Sequence, residues 1–435
     1  MMRILYSIEE YDYTLNEIEG FIDDIAVCIK KNIIKKKGDR YKFNYVGMIV
    51  DKTGKQTSIV IVLPKYLEDI VLSVDTEKNY AQLLMQVFRK YTRDSLIRDN
   101  LSDLDYLSDC THFSLLAIID YLVGDYIENG LYQNSLDSHE CNGNGPIDWN
   151  HTMQEEFALV SNRQIFYTNL HTIADEDDTE DYIRLLHQNI LFQCFSFLEE
   201  ISFLDILEYP SLYIRQAQLF IDDLEYQVRA IDLEMRNVFS DRKINLLKAM
   251  KYFLEKESRL ESNNLLLYGT INFHNIWEEA ISSVLDNERS AFTDYLPSPQ
   301  WTKRNLETIL PSRTLRPDAI RKISNDIFVV DAKYYKYPFN ENGKLNSGNP
   351  GLGDISKQFL YVEALKTEPS IEDCNYHNSF LFPSSNDTVT NIGEINFNLF
   401  PQRTIQLITF PGKQLFKMYI AGQQLDDVEI VRIFQ

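Results

Sequence analysis

The chain reads as a multidomain protein of mixed α+β and α/β class. It divides into an N-terminal β-containing region (1–77), a central helical region (78–262) and a C-terminal α/β core on a mixed central sheet (263–435). Three observations lead there. Strand-length apolar runs fill the first 75 residues, and a helical apolar period takes over near residue 78. Beyond SRLESNN (258–264), helix-like and strand-like segments alternate, as in an α/β domain. With 435 residues, 44% of them hydrophobic and 25% charged, the chain has the length for two or three globular cores.

In the first region FNYVGMIV (43–50) and SIVIVLPKYL (58–67) read as strands of a β-hairpin, with a turn at Thr53-Gly54. Helical spacing follows in NYAQLLMQVFRKY (79–91), HFSLLAIIDYLVGDYI (112–127) and EDYIRLLHQNILFQCFSFLEEI (180–201). It continues in QAQLFIDDLEYQVRAIDLEM (216–235) and KINLLKAMKYFLEKE (243–257). Between them NSLDSHECNGNGPIDWNHT (134–152) reads as a loop with a short ordered anchor at Ile147–Trp149. In the last region LYGTINFHNIWEEAISSVLDN (267–287) opens with a turn and becomes an amphipathic helix. A short strand ending at Asp318 and a strand over 327–335 follow, and then a loop rich in Asn, Gly and Pro (337–353). Asp354 reads as the N-cap of a helix, SFLFPS and TIQLITFP as strands, and GKQLFKMYIAG (412–422) as a closing helix.

Net charge is −22, with 16 basic and 20 acidic side chains in 263–435 against 27 and 45 in 1–262. The acidity lies mainly N-terminally, which argues against that part tracking phosphates. The five cysteines (28, 110, 141, 194, 374) show no CxxC or Cys/His ligand spacing, so free thiols and no structural zinc are expected. No apolar run approaches 18 residues and MMRILYSIEEYDY meets acids early, so no membrane span or signal peptide is expected and the location reads as cytoplasmic.

The chemically loaded stretch is RPDAIRKISNDIFVVDAKYYKY (316–337). Strand alternation puts Asp331 and Lys333 on one face, with Ala332 on the other. Charges at the end of an apolar run are costly to bury unless paired or ligated. A hairpin between the Asp318 strand and the 327–335 strand brings Asp318 to the same place. Two carboxylates drawn together call for a cation, and an all-oxygen donor set suits Mg²⁺ or Mn²⁺. The same triplet also arises by chance as a surface ion pair beside a turn.

Its companions add weight. LYGTINFHNIWEEAISSVLDN, RPD, VVDAKYY, DISKQFLY and SFLFP together resemble the LlaJI-family restriction endonucleases, relatives of McrC within the PD-(D/E)xK nuclease superfamily. YVGMIV, IVLPKYL and NGPIDWNHT extend the resemblance over most of the chain. It implies a restriction-endonuclease-like core in 263–435. Asp318 and Asp331 would be metal ligands, the Ala332 carbonyl would complete the coordination, and Lys333 would be the catalytic lysine. Glu278 corresponds to the further acid beside the metal, with Glu279 as its rival, and Gln358 to a catalytic glutamine. Tyr361 stands three residues after Gln358 where the common signature has four, and reads equally as core. His274 and Lys357 read as phosphate-positioning or solvated groups, and the loop 338–353 as a cover over DNA.

The resemblance further implies a Mg²⁺-dependent endonuclease of double-stranded DNA in a phage-defence restriction system, leaving 5′-phosphate and 3′-hydroxyl ends. Its expected partner is a separate McrB-like AAA+ GTPase, consistent with the lack of a Walker GxxxxGK[ST] sequence in 1–262. Residues 78–262 are the candidate docking region. The alternatives are a non-catalytic DNA-binding or assembly subunit that keeps the nuclease fold, and a nuclease acting on RNA or on nucleic-acid ends.

Overall fold

The hairpin read from FNYVGMIV and SIVIVLPKYL forms: Val46–Asp51 and Ser58–Leu63 pair antiparallel, with every residue except Ser58 buried. It is the middle of a larger sheet. Arg3–Ile8 adds parallel to Ser58–Leu63, and Leu265–Thr270 adds antiparallel to Val46–Asp51. The last pairing requires glycine. Gly47 lies opposite Gly269 with φ +132, and a Cβ on either would run into the other's backbone. The computed structural model describes the chain outside residues 1–2, 53–56, 69–73, 98–112, 162–163, 178–180, 201–203, 205, 208, 211, 257–264, 297–299, 303–308, 312–314, 336–338, 340–343, 346–348 and 402. The expected Thr53-Gly54 turn and most of the loop 337–353 therefore lie outside the described residues.

The expected turn at the head of LYGTIN is a strand, because Leu265–Thr270 finds a partner more than two hundred residues back that no local pattern reveals. This pairing also changes the grouping of segments. One compact unit comprises Met1–Ala117 with Asn263–Gln435, and the other comprises Ile118–Ser262. Boundaries drawn at 77/78 and 262/263 follow texture along the chain, whereas the units follow which strands pair.

The first unit also holds a five-stranded sheet in the order Ala319–Ile323, Asp326–Ala332, Asn375–Ser384, Thr404–Pro411, Thr390–Asn396. The three inner strands run parallel and both edges are antiparallel. Ile327 and Val329 point into a core with Tyr361, Val362 and Leu365 of the helix Leu352–Leu365. The helix Phe273–Val284 buries Phe273, Ile276, Trp277, Ala280, Ile281 and Val284, the stripe expected from its period. The edge strand Thr390–Asn396 is too polar to show an apolar pattern, and a helix Asp427–Phe434, capped by Asp426, follows GKQLFKMYIAG instead of the chain closing there.

The second unit contains the helices Tyr182–Glu200, Leu224–Asn237 and Asp241–Lys256, the last two packed on each other. The helical pattern over 216–235 becomes helix only from Leu224, where Asp223 accepts a capping bond from the Tyr226 amide. The expected loop 134–152 is partly strand: Ser135–Cys141 pairs antiparallel with His171–Asp177. The anchor is there, as a bridge from Ile147 to Thr172 and as Asp148 capping the helix Trp149–Glu155. Cys28, Cys141, Cys194 and Cys374 are free thiols. Among the described residues no helix is long and apolar enough to cross a membrane.

Candidate active site

The two strands carrying the PD…DxK residues form the expected hairpin, with Ala319 opposite Val330. One further step of that register puts Asp318 opposite Asp331. Asp318 does not end a strand; it immediately precedes one. Its side chain is nevertheless held in place, because Oδ2 accepts the Ala332 amide at 2.7 Å. The main chain around it is held too. Asn287 Nδ2 donates to the Asp318 carbonyl at 2.9 Å, and Arg289 donates to the Pro317 and Asp318 carbonyls at 3.0 and 3.1 Å. Tyr361 donates its hydroxyl to the Arg316 carbonyl at 3.2 Å. Tyr361 is thus a buried positioning residue for the RPD turn.

Strand alternation holds at the other acid. Asp331 is 9% exposed, and its Oδ2 lies 2.6 Å from Lys333 Nζ. Lys333 also reaches Asp354 Oδ1 at 3.1 Å. Sequence reasoning missed this pairing by reading Asp354 only as an N-cap. Its helix starts earlier, at Leu352, and Asp354 Oδ2 accepts the Gly351 amide at 3.2 Å. The available signal was spacing: Asp354 lies four residues before Gln358, on the same face of the helix.

Gln358 is fully buried and donates its amide to the Val329 carbonyl (3.1 Å), Asn378 Oδ1 (2.7 Å) and the Ser379 carbonyl (3.3 Å). It ties the Asp331 strand to its parallel neighbour beneath the site. Helical period gives its face but not how deep the helix sits. Burial first, and then the nearby charge of Lys65, lower the pKa of the His274 imidazole.

Burial pushes the Glu278 carboxyl up to about 7, with Asp331 adding to the rise and Lys333, Arg316 and Arg289 opposing it. Burial, then repulsion by Asp331 and Glu278, raises Asp318 well above the ordinary carboxylate range. Burial also raises Asp331, against the pull of Lys333. Burial alone would lower Lys333, but Asp331 and Asp354 outweigh it and hold the ammonium charged. Three acids therefore share a half-buried site with one ammonium in direct contact.

This surplus of negative charge, on hard oxygen donors, fits a divalent cation. Asp318 and Asp331 each commit one carboxylate oxygen to a hydrogen bond or ion pair, so each has a second oxygen for a metal. Among the described residues no three His, Cys, Asp or Glu side chains are gathered closely enough to hold an ion by themselves. The donor set at hand is the Asp318–Asp331 pair with the Ala332 carbonyl, and Glu278 stands near enough to feel the pair.

Comparison with known proteins follows this geometry. Component YdjA of the type II restriction enzyme BsuMI, from Bacillus subtilis (strain 168), is 31% identical over 413 residues, covering 90% of this chain and 85% of that protein. A chain in the half-complex of Thermococcus gammatolerans McrB AAA+ hexamers with bound McrC is similar at 10% identity and a TM-score of 0.40. That likeness covers 97% of this chain and 99% of that one, and is too loose to carry an argument. The LlaJI restriction endonuclease family matches residues 45–418, which include every residue of the site. The chain belongs to the LlaJI restriction endonuclease family, and membership implies nuclease activity.

Proposed function

We propose that the chain is the metal-dependent endonuclease subunit of a restriction system, hydrolysing phosphodiester bonds of double-stranded DNA at Asp318, Asp331 and Lys333. The observation that carries this reading is the meeting of the PD and DxK residues: Asp318 bonded to the Ala332 amide, and Lys333 on Asp331 at the buried end of the same hairpin. Asp318, Asp331 and the Ala332 carbonyl would hold Mg²⁺ or Mn²⁺. When bound, the metal supplies Lewis acidity, polarising a phosphate oxygen and lowering the pKa of water.

The chain's own residues do the rest. Lys333 stays protonated and offsets charge developing on the phosphate. Asp354 holds the same ammonium as Asp331. Glu278, with its pKa near 7, suits proton exchange with attacking water at neutral pH. Gln358 and Tyr361 keep the two strand ends in register from below.

Sequence resemblance supports a partner, an McrB-like AAA+ GTPase that drives or licenses cutting. A net charge of −22 fits a nuclease whose DNA affinity is largely supplied by another subunit. The test is to incubate supercoiled plasmid with the chain, Mg²⁺, an McrB-like AAA+ GTPase from the same source and GTP, in parallel with Lys333→Ala. Nicked or linear DNA with 5′-phosphate ends, from wild type only and abolished by EDTA, is expected. Equal cutting by both proteins removes Lys333 from the mechanism and overturns the reading.

A further inference from the structure

We propose that the open cavity between Arg289 and Arg316 seats a DNA backbone phosphate next to the one that is cut. The proposal deepens the nuclease reading and rests on it. The cavity has a volume of about 420 Å³ and is lined by both arginines with Asn287, Ser290 and Thr293. It opens beside the catalytic acids, because Arg289 grips the carbonyl of Asp318 itself.

Both arginines stand within electrostatic reach of the site's acids, yet neither is tied up in an ion pair among the described residues. Arg289 is aimed by neutral groups, the Pro317 and Asp318 carbonyls, and the Asn287 side chain that accepts its backbone amide also holds the Asp318 carbonyl. Arg316 is exposed, and among the described residues neither arginine is in an ion pair. Partial burial and the charge of Arg316 both act against the Arg289 cation, so the two guanidinium groups lie close enough to repel. Asp318, Glu279 and Glu278 act on Arg289 through space without contacting it in an ion pair among the described residues, so the two guanidinium groups keep donors for a further anion.

The chemistry narrows the ligand to a phosphodiester. Guanidinium forks match phosphate oxygens in paired hydrogen bonds. Ser290 and Thr293 are exposed and add hydroxyls at the rim, whereas the lining has no aromatic face on which a base would stack. A backbone phosphate needs only the former. Such a contact adds affinity and register without reading sequence.

The experiment uses the full-length chain, a labelled short blunt duplex without terminal phosphates, and Ca²⁺ in place of Mg²⁺, with binding followed by anisotropy over a salt series. Arg316→Ala should weaken binding and reduce the slope of log affinity against log salt by about one. Arg316→Lys should restore the slope, since the charge returns. Arg289→Ala also removes a support of the RPD turn, so the exposed Arg316 is the cleaner probe. An unchanged slope for Arg316→Ala overturns the proposal, as does a wild-type chain that binds no duplex at any salt even with the AAA+ partner present. Its failure is distinguishable from that of the nuclease reading. Wild type and Lys333→Ala cutting plasmid alike would sink the reading while a changed slope still supported the seat. An unchanged slope in a chain that cuts would sink the seat alone.

Discussion

Asp125 in the second unit and Asp331 in the first are both nearly buried carboxylates facing a cation, yet they serve opposite ends. Asp125 receives both prongs of Arg242, at 2.9 and 2.8 Å, plus Asn129 Nδ2 at 3.1 Å. Nearby, Glu234 is met by the Tyr132 hydroxyl at 2.6 Å and by Asn134 at 2.8 Å. Charge and hydrogen-bonding capacity are matched there, as a structural ion pair requires. Around Asp331 the match fails: Asp318 and Glu278 crowd the same ammonium, and burial raises all three acids. A matched pair holds a fold together, whereas an unmatched cluster stores electrostatic repulsion that a ligand can relieve.

That contrast can be broken experimentally. The largest effect should come from Lys333→Ala or Asp331→Asn, each lowering plasmid cleavage about 10²–10³-fold or more while the protein stays folded. A circular-dichroism melt alongside the cleavage assay checks both halves, and a collapsed melt would place Asp331 with the structural acids. Next, Asp125→Ala should cost about 2–3 kcal/mol in urea unfolding, because it strands Arg242, with no effect on cleavage per folded molecule. Glu278 offers a pH test. Its carboxyl is raised to about 7 in the fold, so the native state binds this proton more tightly than the unfolded chain does. The stability it contributes is present below the unfolded value near 4.5 and is lost as pH rises through about 7. The loss should be about 2–3 kcal/mol without metal. Glu278→Gln should make that decline shallower, the remainder coming from Asp318 and Asp331, which burial also raises, and Mg²⁺ should shrink it; a decline left unchanged by the substitution assigns it elsewhere. The smallest effect should be that of Asp354→Asn. It leaves Asp331 on Lys333, and cleavage should fall by about tenfold, the size of one weakened charge-assisted contact.

Much of the site was legible in the sequence because strand alternation is rigid. Once Ile327 to Val330 are taken as a buried strand, Asp331 and Lys333 must share a face, and the short span from Asp318 leaves a hairpin as the simplest closure. The buried stripe of Phe273–Val284 follows from helical period in the same way. Other features were hidden because they depend on depth or on distant partners. Face does not give depth, so helical period did not show that Gln358 is fully buried. Capping preference describes a helix end in isolation, so Asp354 was expected as an N-cap and also proves to be a partner of Lys333. Arg289 and Arg316 look like ordinary surface cations until the turn that joins them to Asp318 is seen.

The antiparallel pairing of Leu265–Thr270 with Val46–Asp51 has a consequence for the birth of the protein. The N-terminal strands emerge from the ribosome with one edge of their sheet open. The strand that closes it is synthesised about 10–40 s later at ordinary translation speeds. Until then an apolar hairpin waits exposed while some two hundred residues are made, and the helix bearing Glu278 cannot dock. The acids and the lysine of the candidate site, between 278 and 354, all follow that strand, so the site cannot assemble before the last strand of this sheet has been made.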